Sequence, residues 1–156
     1  MFIPIENLRD WRDNLSPSKK LVVTNGCFDL LHAGHVDYLN KAADLGDILL
    51  VGCDSDASVR QLKGSDRPVN PENDRAAVLD ALRAVDFVTV FPEKGGRDFI
   101  ASSRPHIYAK GGDYSAKSLN ICERSALQMV GAEIRILPFT EGKSTSLIIS
   151  RLRGES

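Results

Sequence analysis

Short apolar runs alternate with helical patterns along nearly the whole chain, and this alternation restricts the possible folds more than any other feature. The runs are apolar at successive positions rather than at every second one, which is typical of strands covered on both faces. The predicted strands are Leu21–Thr24, Ile48–Gly52, Phe87–Phe91, His106–Ala109 and Glu133–Leu137. Helical patterns lie between them, at about residues 34–45, 55–62, 72–84, 97–103 and 119–130, with a last one at about 145–153. This order predicts an α/β fold with a doubly wound, five-stranded parallel sheet and right-handed crossovers.

The composition is typical of a globular protein, with 42% hydrophobic and 26% charged residues. We expect a single domain over residues 1–156, long enough for a full core. Residues 1–18 are expected to form an N-terminal helical extension in which Leu8 and Trp11 pack on the domain.

The charge and cysteine content exclude several classes of partner. The formal net charge is −1 without long runs of like charge, which argues against nucleic acid and membrane as partners. Cys27, Cys53 and Cys122 are odd in number and widely spaced, which argues against a disulfide framework or a four-thiolate zinc site. No signal peptide or apolar stretch of membrane length is evident, so a cytoplasmic location is expected.

The segment TNGCFDLLHAGH, which begins at Thr24, carries the strongest functional signal. The first predicted strand ends at the turn pair Asn25-Gly26, and His32 and His35 then open a helical pattern. Residues three apart share one face of a helix, so both rings can address one ligand. Gly34 between them removes a side chain where a phosphate must approach the backbone. Together with the N–H groups of a helix N-terminus, the two imidazoles predict a polyphosphate site.

The chemistry suited to such a site is attack of one phosphate on the α-phosphorus of a nucleoside triphosphate, with pyrophosphate leaving. The protein then positions the reactants and stabilises charge without covalent catalysis. A pair of histidines at this spacing is otherwise most often a surface or capping pair, but the preceding strand, turn and Asp29 favour a site. Asp29 and the two histidines could also ligate zinc; because no fourth ligand is evident, we predict no metal held by protein side chains.

A second anion-binding signal precedes the last helix, in the segment TEGKSTS that begins at Thr140. Hydroxyl residues at a helix start can cap it while their N–H groups hold an anion. The segment is not a P-loop, because that motif needs a glycine five positions before Gly142, where the chain has Leu137. An ordinary capped helix remains an alternative.

Two further stretches carry candidate binding residues. Lys110-Gly111-Gly112-Asp113 follows the fourth predicted strand, where two glycines allow close approach to a base or ribose. Lys63 and Arg67 supply cations on a loop that could close over phosphates. A plain turn and a solvated loop are the alternatives.

Arg75 lies near the start of a predicted helix, where a cation is unfavourable against the helix dipole. This position predicts a compensating partner, which is either Asp54, Asp56 or the phosphates of a ligand.

These segments, together with VGCDSDASVRQLKGSDRPVNPENDRAAVLDALRAVD and KGGDY, resemble one family closely. From about residue 20 to 153 the chain is similar to the adenylyltransferase domain of ADP-heptose synthase, within the HxGH cytidylyltransferase-like nucleotidyltransferases. The resemblance implies a Rossmann-like sheet, a homodimer, and transfer of AMP from ATP with Mg²⁺ to D-glycero-β-D-manno-heptose 1-phosphate. The products would be ADP-heptose for lipopolysaccharide synthesis and pyrophosphate.

The resemblance also implies roles for individual residues. The predicted catalytic residues are His32, His35 and Lys63. Combined with the residues discussed above, the predicted nucleotide- and substrate-binding residues are Asn25, Gly26, Cys27, Phe28, Asp29, Gly34, Arg75, Lys110, Gly111, Gly112, Asp113, Glu141, Gly142, Ser144 and Thr145.

Two departures from the family leave alternatives open. The bifunctional enzymes carry a sugar kinase before this domain, so here a separate kinase is expected to supply the phosphosugar. The stretch Ser115–Met129 differs from the commonest form of the family, in a specificity or dimer region. A cytidylyl- or guanylyltransferase acting on another phosphosugar or on glycerol 3-phosphate, and a nucleotide-sensing binding protein, are the alternative functions.

Overall fold

A five-stranded, entirely parallel sheet forms the centre of the molecule, as the sequence predicts. The computed structural model describes residues 1–92, 95–112, 119–138, 142 and 144–154. The strands lie in the order β3-β2-β1-β4-β5. Their bounds are β1 Leu21–Gly26, β2 Ile48–Asp54, β3 Phe87–Phe91, β4 Ile107–Gly111 and β5 Glu133–Leu137.

Helices cover both faces of the sheet, which confirms the doubly wound, Rossmann-like fold. Val22 on β1 packs into one hydrophobic cluster, whereas its neighbours Leu21 and Val23 pack into the other. This alternation within one buried strand explains why the predicted strands are apolar at successive positions. The helices are α1 Leu8–Asp13, α2 Ala33–Ala43, α3 Asp56–Lys63, α4 Glu72–Asp80, α5 Arg97–Ser103, α6 Ile121–Val130 and α7 Thr145–Leu152.

The N-terminal segment packs on the sheet, and its helix is shorter than the extension expected over residues 1–18. A 3-10 turn, Ile5–Asn7, leads into α1, on which Leu8 is fully buried. The Trp11 ring lies against Phe87 with centroids 4.8 Å apart. No helix within the described ranges is long and apolar enough to cross a bilayer.

Helix caps account for most differences from the predicted boundaries. The helix expected over 119–130 begins at Ile121 because the Asn120 side chain accepts from the Cys122 N–H and caps it. The helix expected over 72–84 ends at Asp80, and Val85 then donates its N–H to the Leu82 carbonyl in a following turn.

The strand order places a topological switch point between β1 and β4. The chain runs from β1 outward to β2 and β3, and then returns to β4 on the other side of β1. In such sheets ligands bind beyond the carboxyl ends of the strands at this point. Asn25 and Gly26 end β1 there, and Lys110 and Gly111 end β4.

Candidate active site

The two histidines lie together at the start of α2, beside the carboxyl end of β1. His32 is the N-cap residue, and its Nδ1 accepts a hydrogen bond from the Gly34 N–H over 3.1 Å. The His32 and His35 ring centroids are 4.0 Å apart with an interplanar angle of 31°. Gly34 is buried beneath them. The structure therefore brings both imidazoles and the first N–H groups of α2 to one place.

His35 is a neutral imidazole near pH 7. Burial, together with the nearby His32 and Lys63, lowers its pKa to about 4. Its Nδ1 is buried and has no hydrogen-bond partner within the described part of the chain. The Phe28 ring meets the imidazole edge-on, with centroids 5.6 Å apart. A neutral ring held in this way can donate one hydrogen bond to a phosphoryl oxygen without bringing its own charge.

The first turn of α7 is hydrogen-bonded to the loop that connects β1 to α2. Ser144 caps the helix by accepting from the Leu147 N–H over 3.1 Å. The Thr145 Oγ1 donates to the Leu30 carbonyl over 3.2 Å, two residues before His32. Two helix N-termini thus converge, which concentrates positive potential suited to a polyphosphate. Gly142 adopts a φ of 71°, whereas Glu141 lies outside the described residues.

The loop after β1 is held by the segment that precedes α4. The buried Asp29 carboxylate accepts from Arg67 Nε at 2.6 Å and from the N–H groups of Val69 at 2.8 Å and Asn70 at 3.0 Å. Burial opposes ionisation, but the bonds from Asn70, Val69 and Arg67 lower the Asp29 pKa. The Asp29 carboxylate is thus directed towards donors of the protein itself. Arg67, which the sequence predicts as a cation on a loop that could close over phosphates, is held by Asp29.

Arg75 strengthens the same attachment from α4. Its side chain is fully buried and donates to the Cys27 carbonyl at 2.6 Å and the Asn70 carbonyl at 2.9 Å. It also forms an ion pair with Asp56 at 2.8 Å. Of the three partners considered from the sequence, the structure therefore selects Asp56. Because no part of this guanidinium reaches solvent, its contact with the loop is structural.

Cys27, which follows β1, and Asp54, the last residue of β2, lie side by side. The Cys27 Sγ donates to the Asp54 carboxylate over 3.4 Å. Burial first, and then the Asp54 charge, raise the Cys27 pKa to about 11. Burial likewise raises the pKa of Asp54. Cys27 is therefore a thiol rather than a thiolate at neutral pH, and its carbonyl, rather than its sulfur, holds the loop in shape.

The end of β4 supplies Lys110, Gly111 and Gly112. Lys110 Nζ lies 2.8 Å from the Asn25 Oδ1 and 2.8 Å from Glu123 Oε1, so it joins β1 to α6. Gly112 adopts a φ of 72° and donates its N–H to the Leu137 carbonyl over 2.8 Å. Asp113 lies outside the described residues.

Lys63 is the last residue of α3 rather than part of a loop, and its side chain is exposed. The Lys63 charge contributes to lowering the pKa of His35, so Lys63 lies on the histidine side of the site. No group of three or more His, Cys, Asp or Glu side chains within the described ranges is arranged to hold a metal ion.

The sequence profile of the cytidylyltransferase-like family matches residues 23–151. The chain belongs to this family. The match includes the histidine loop, the switch point and most of α7, and it confirms the family that the sequence predicts.

The cytidylyltransferase-like chain is also similar to individual known proteins. It is 50% identical over 135 residues to "Bifunctional protein HldE" of a Nitratiruptor species, covering 86% of this chain and 28% of the relative. HldE of Wolinella succinogenes is 46% identical over 150 residues, covering 94% of this chain and 29% of the relative. The chain thus spans a little over a quarter of these curated relatives, at 28% and 29% of their lengths.

Two solved structures share the cytidylyltransferase-like fold. The lipopolysaccharide core biosynthesis protein from Thermoplasma volcanium superposes with a TM-score of 0.65 at 28% identity, over 81% of this chain and all of that chain (100%). Pantoate-beta-alanine ligase from Francisella tularensis superposes with a TM-score of 0.67 over 94% of this chain and 69% of that chain. At 12% identity, the second comparison concerns the fold alone.

Sequence reasoning missed Glu123 and Tyr108 in this cytidylyltransferase-like site. Both side chains are buried and contact the predicted residues Lys110 and Asn25. Tyr108 resembles an ordinary core residue of a buried strand, and Glu123 an ordinary acidic residue in the first turn of a helix. One observation could have indicated Glu123: Lys110, near the end of a strand at the centre of the sheet, needs an acidic partner when it is largely buried.

Proposed function

We propose that this chain transfers AMP from MgATP to D-glycero-β-D-manno-heptose 1-phosphate, releasing ADP-heptose and pyrophosphate. The observation that carries the proposal is the convergence of the α2 and α7 N-termini on the His32–His35 pair, tied by the bond between Thr145 and Leu30. Similarity to proteins named HldE, and to one named for lipopolysaccharide core biosynthesis, supports the choice of sugar and nucleotide.

The reaction is an in-line displacement. An oxygen of the sugar phosphate forms a bond to the α-phosphorus of ATP while the bond from that phosphorus to the bridging oxygen of pyrophosphate breaks. No covalent enzyme intermediate is formed, so the residues of this chain bind, orient and stabilise charge.

Each residue group has a distinct part in this proposal. His35, neutral because its pKa is about 4, donates a hydrogen bond to the α-phosphoryl oxygens, with His32 beside it. The N–H groups at the start of α7 hold the β- and γ-phosphates. Lys63 lies on the histidine side and offsets the charge that develops on the leaving pyrophosphate. Mg²⁺ arrives on the phosphates of ATP, as is usual for this ion.

The assembly and supply of substrate follow as further parts of the proposal. We propose that residues 1–156 act as one nucleotidyltransferase domain and form a homodimer. The phosphosugar acceptor requires a kinase reaction that supplies it.

The first experiment measures pyrophosphate release with Mg²⁺ and heptose 1-phosphate, with ATP, CTP and GTP tested in parallel. The proposal expects turnover with ATP alone. Preference for CTP or GTP would contradict the transfer of AMP. Turnover with glycerol 3-phosphate as the acceptor, but not with heptose 1-phosphate, would contradict the proposed sugar substrate.

A variant of the central residue separates catalysis from binding. His35→Asn keeps a hydrogen-bonding side chain of smaller size, and we expect kcat to fall by about 10²- to 10³-fold with the Kd of MgATP nearly unchanged. If the wild type binds MgATP as tightly as the His35→Asn variant and also shows no turnover, the result would instead support a nucleotide-sensing role. Glu133→Gln, in an exposed ion pair at the start of β5, is the matched control, for which kcat should not change.

A further inference from the structure

A buried hydrogen-bond network connects the carboxyl ends of β1 and β4 to α6. Lys110 Nζ lies 2.8 Å from both the Asn25 Oδ1 and Glu123 Oε1, and 3.4 Å from the Tyr108 hydroxyl. The Tyr108 hydroxyl also contacts the Asn25 Oδ1 at 2.6 Å and the Glu123 carboxylate directly.

The network fixes the orientation of the Asn25 amide. A side-chain amide can be turned either way, and its partners decide which end is oxygen. The Lys110 ammonium can only donate, so the amide atom beside it is Oδ1 and the Nδ2 group is directed away from it. Gly96 has no Cβ on that side; a Cβ there would lie 3.1 Å from the Asn25 Nδ2. A side chain at position 96 would therefore crowd the amide.

Glu123 is the anchor of this arrangement. It is only 4% exposed, and burying a carboxylate without partners is strongly unfavourable. The Lys110 ammonium and the Tyr108 hydroxyl supply those partners. Burial and the Glu123 charge raise the Tyr108 pKa well above its usual value, so the hydroxyl remains a donor. The Lys110 side chain keeps 13% exposure, which leaves part of it accessible from the site.

We propose that Glu123 is a positioning residue that holds Lys110, and through Lys110 and Tyr108 the Asn25 amide, to receive a phosphate oxygen of a substrate. This inference rests on the proposed nucleotidyltransfer at the same site. The phosphate belongs either to the nucleotide or to the phosphosugar, and the two arms of the experiment distinguish them.

A double-mutant cycle tests the inference. Glu123→Gln, Lys110→Met and the double variant are compared by KM and kcat for each substrate and by the equilibrium Kd of MgATP. We expect Glu123→Gln to weaken one substrate about tenfold with little change in kcat, and to add less than about twofold in the Lys110→Met background, because coupled residues are not additive. Glu123→Asp should restore part of the loss.

Matched controls separate positioning from stability. Glu133→Gln removes the charge from an exposed ion pair, in which Glu133 accepts from Arg135 Nε at 2.6 Å, and should leave every constant unchanged. An equal effect of Glu123→Gln in both backgrounds would overturn the inference. A lower Tm with unchanged KM and Kd values would overturn it as well, because that result describes a purely structural glutamate.

Two additions keep the test decisive. If Glu123→Gln does not fold, Tyr108→Phe removes one donor of the network alone, and an unchanged affinity for both substrates would then overturn the inference. If the wild type shows no turnover with any nucleotide, the proposed function fails separately. The Kd values of MgATP and of heptose 1-phosphate then decide, and this inference would be overturned if Glu123→Gln left both unaffected.

Discussion

The Thr145 hydroxyl donates to the Leu30 carbonyl over 3.2 Å, although the two residues lie 115 positions apart in the chain. This bond joins the start of the last helix to the loop that leads into His32. It makes two helix N-termini, each a weak anion site alone, parts of one site.

Loss of this bond should weaken nucleotide binding. Thr145→Val keeps the shape of the side chain and removes the donor, so we expect the Kd of MgATP to rise about fivefold, which corresponds to about 1 kcal/mol. Isothermal titration calorimetry measures the change, with Glu133→Gln as the control. An unchanged Kd would mean that the α7 N-terminus is held in place without this bond.

His35 should make the protein less stable in mild acid. Its pKa is about 4 in the folded chain against 6.5 as the ordinary value, so the unfolded state binds a proton between these pH values and the folded state does not. Stability is therefore unaffected above about pH 7 and falls as the pH drops from 6.5 towards 4.

The matched variant for this effect is His35→Asn, which cannot titrate. Urea unfolding from pH 7 to pH 4 should show a flatter decline for the variant than for the wild type. His106, whose pKa burial also lowers, is present in both proteins and cancels in the comparison. Parallel declines would contradict a lowered pKa at His35.

Arg75 should affect stability more than ligand contact. Arg75→Met leaves Asp56 and two carbonyl groups without their buried donor, so we expect the free energy of unfolding to fall by about 3 kcal/mol. Urea denaturation measures it, and Arg83→Met on the exposed side of the same region is the control. If the Arg75→Met variant instead has the stability of the wild type and a much higher Kd of MgATP, Arg75 is a ligand contact.

Asp29 should stabilise the protein only while it is ionised. Its hydrogen bonds lower its pKa below the ordinary 3.8, so this contribution is present above that pH and is lost as the pH falls through the lowered value. Asp29→Asn should therefore reduce the free energy of unfolding at pH 7, and the difference from the wild type should shrink in acid. Urea curves at both pH values measure it, and a difference independent of pH would contradict the ionised role.

The three cysteines should differ sharply towards an alkylating reagent. The pKa of Cys27 is raised to about 11 and that of Cys53 to about 12, in both cases chiefly by burial, so neither thiol supplies much thiolate at pH 8. Cys122 is exposed. Brief treatment with iodoacetamide should add one group, located at Cys122 by mass spectrometry, and none to Cys122→Ser. A rapid second adduct at Cys27 would contradict its burial.

The sequence by itself determined the local elements of this protein. All five predicted strands are present. The apolar runs of the buried strands are visible residue by residue, whereas the edge strand β5 shows alternating polar and apolar residues. The positions of the histidine pair at the start of α2 and of Ser144 at the start of α7 also follow from local rules, since capping and the three-residue spacing involve only nearby residues.

The tertiary structure alone decided which distant residues meet. Apolar runs do not specify strand order, and the order β3-β2-β1-β4-β5 is what places Lys110 beside Asn25. The same holds for Arg75, whose partner among three candidates is Asp56, and for Asp29, whose carboxylate is bound by the segment 67–70. Such pairings depend on how the elements pack, because burial requires each charged group to find a partner within reach, wherever that partner lies in the chain.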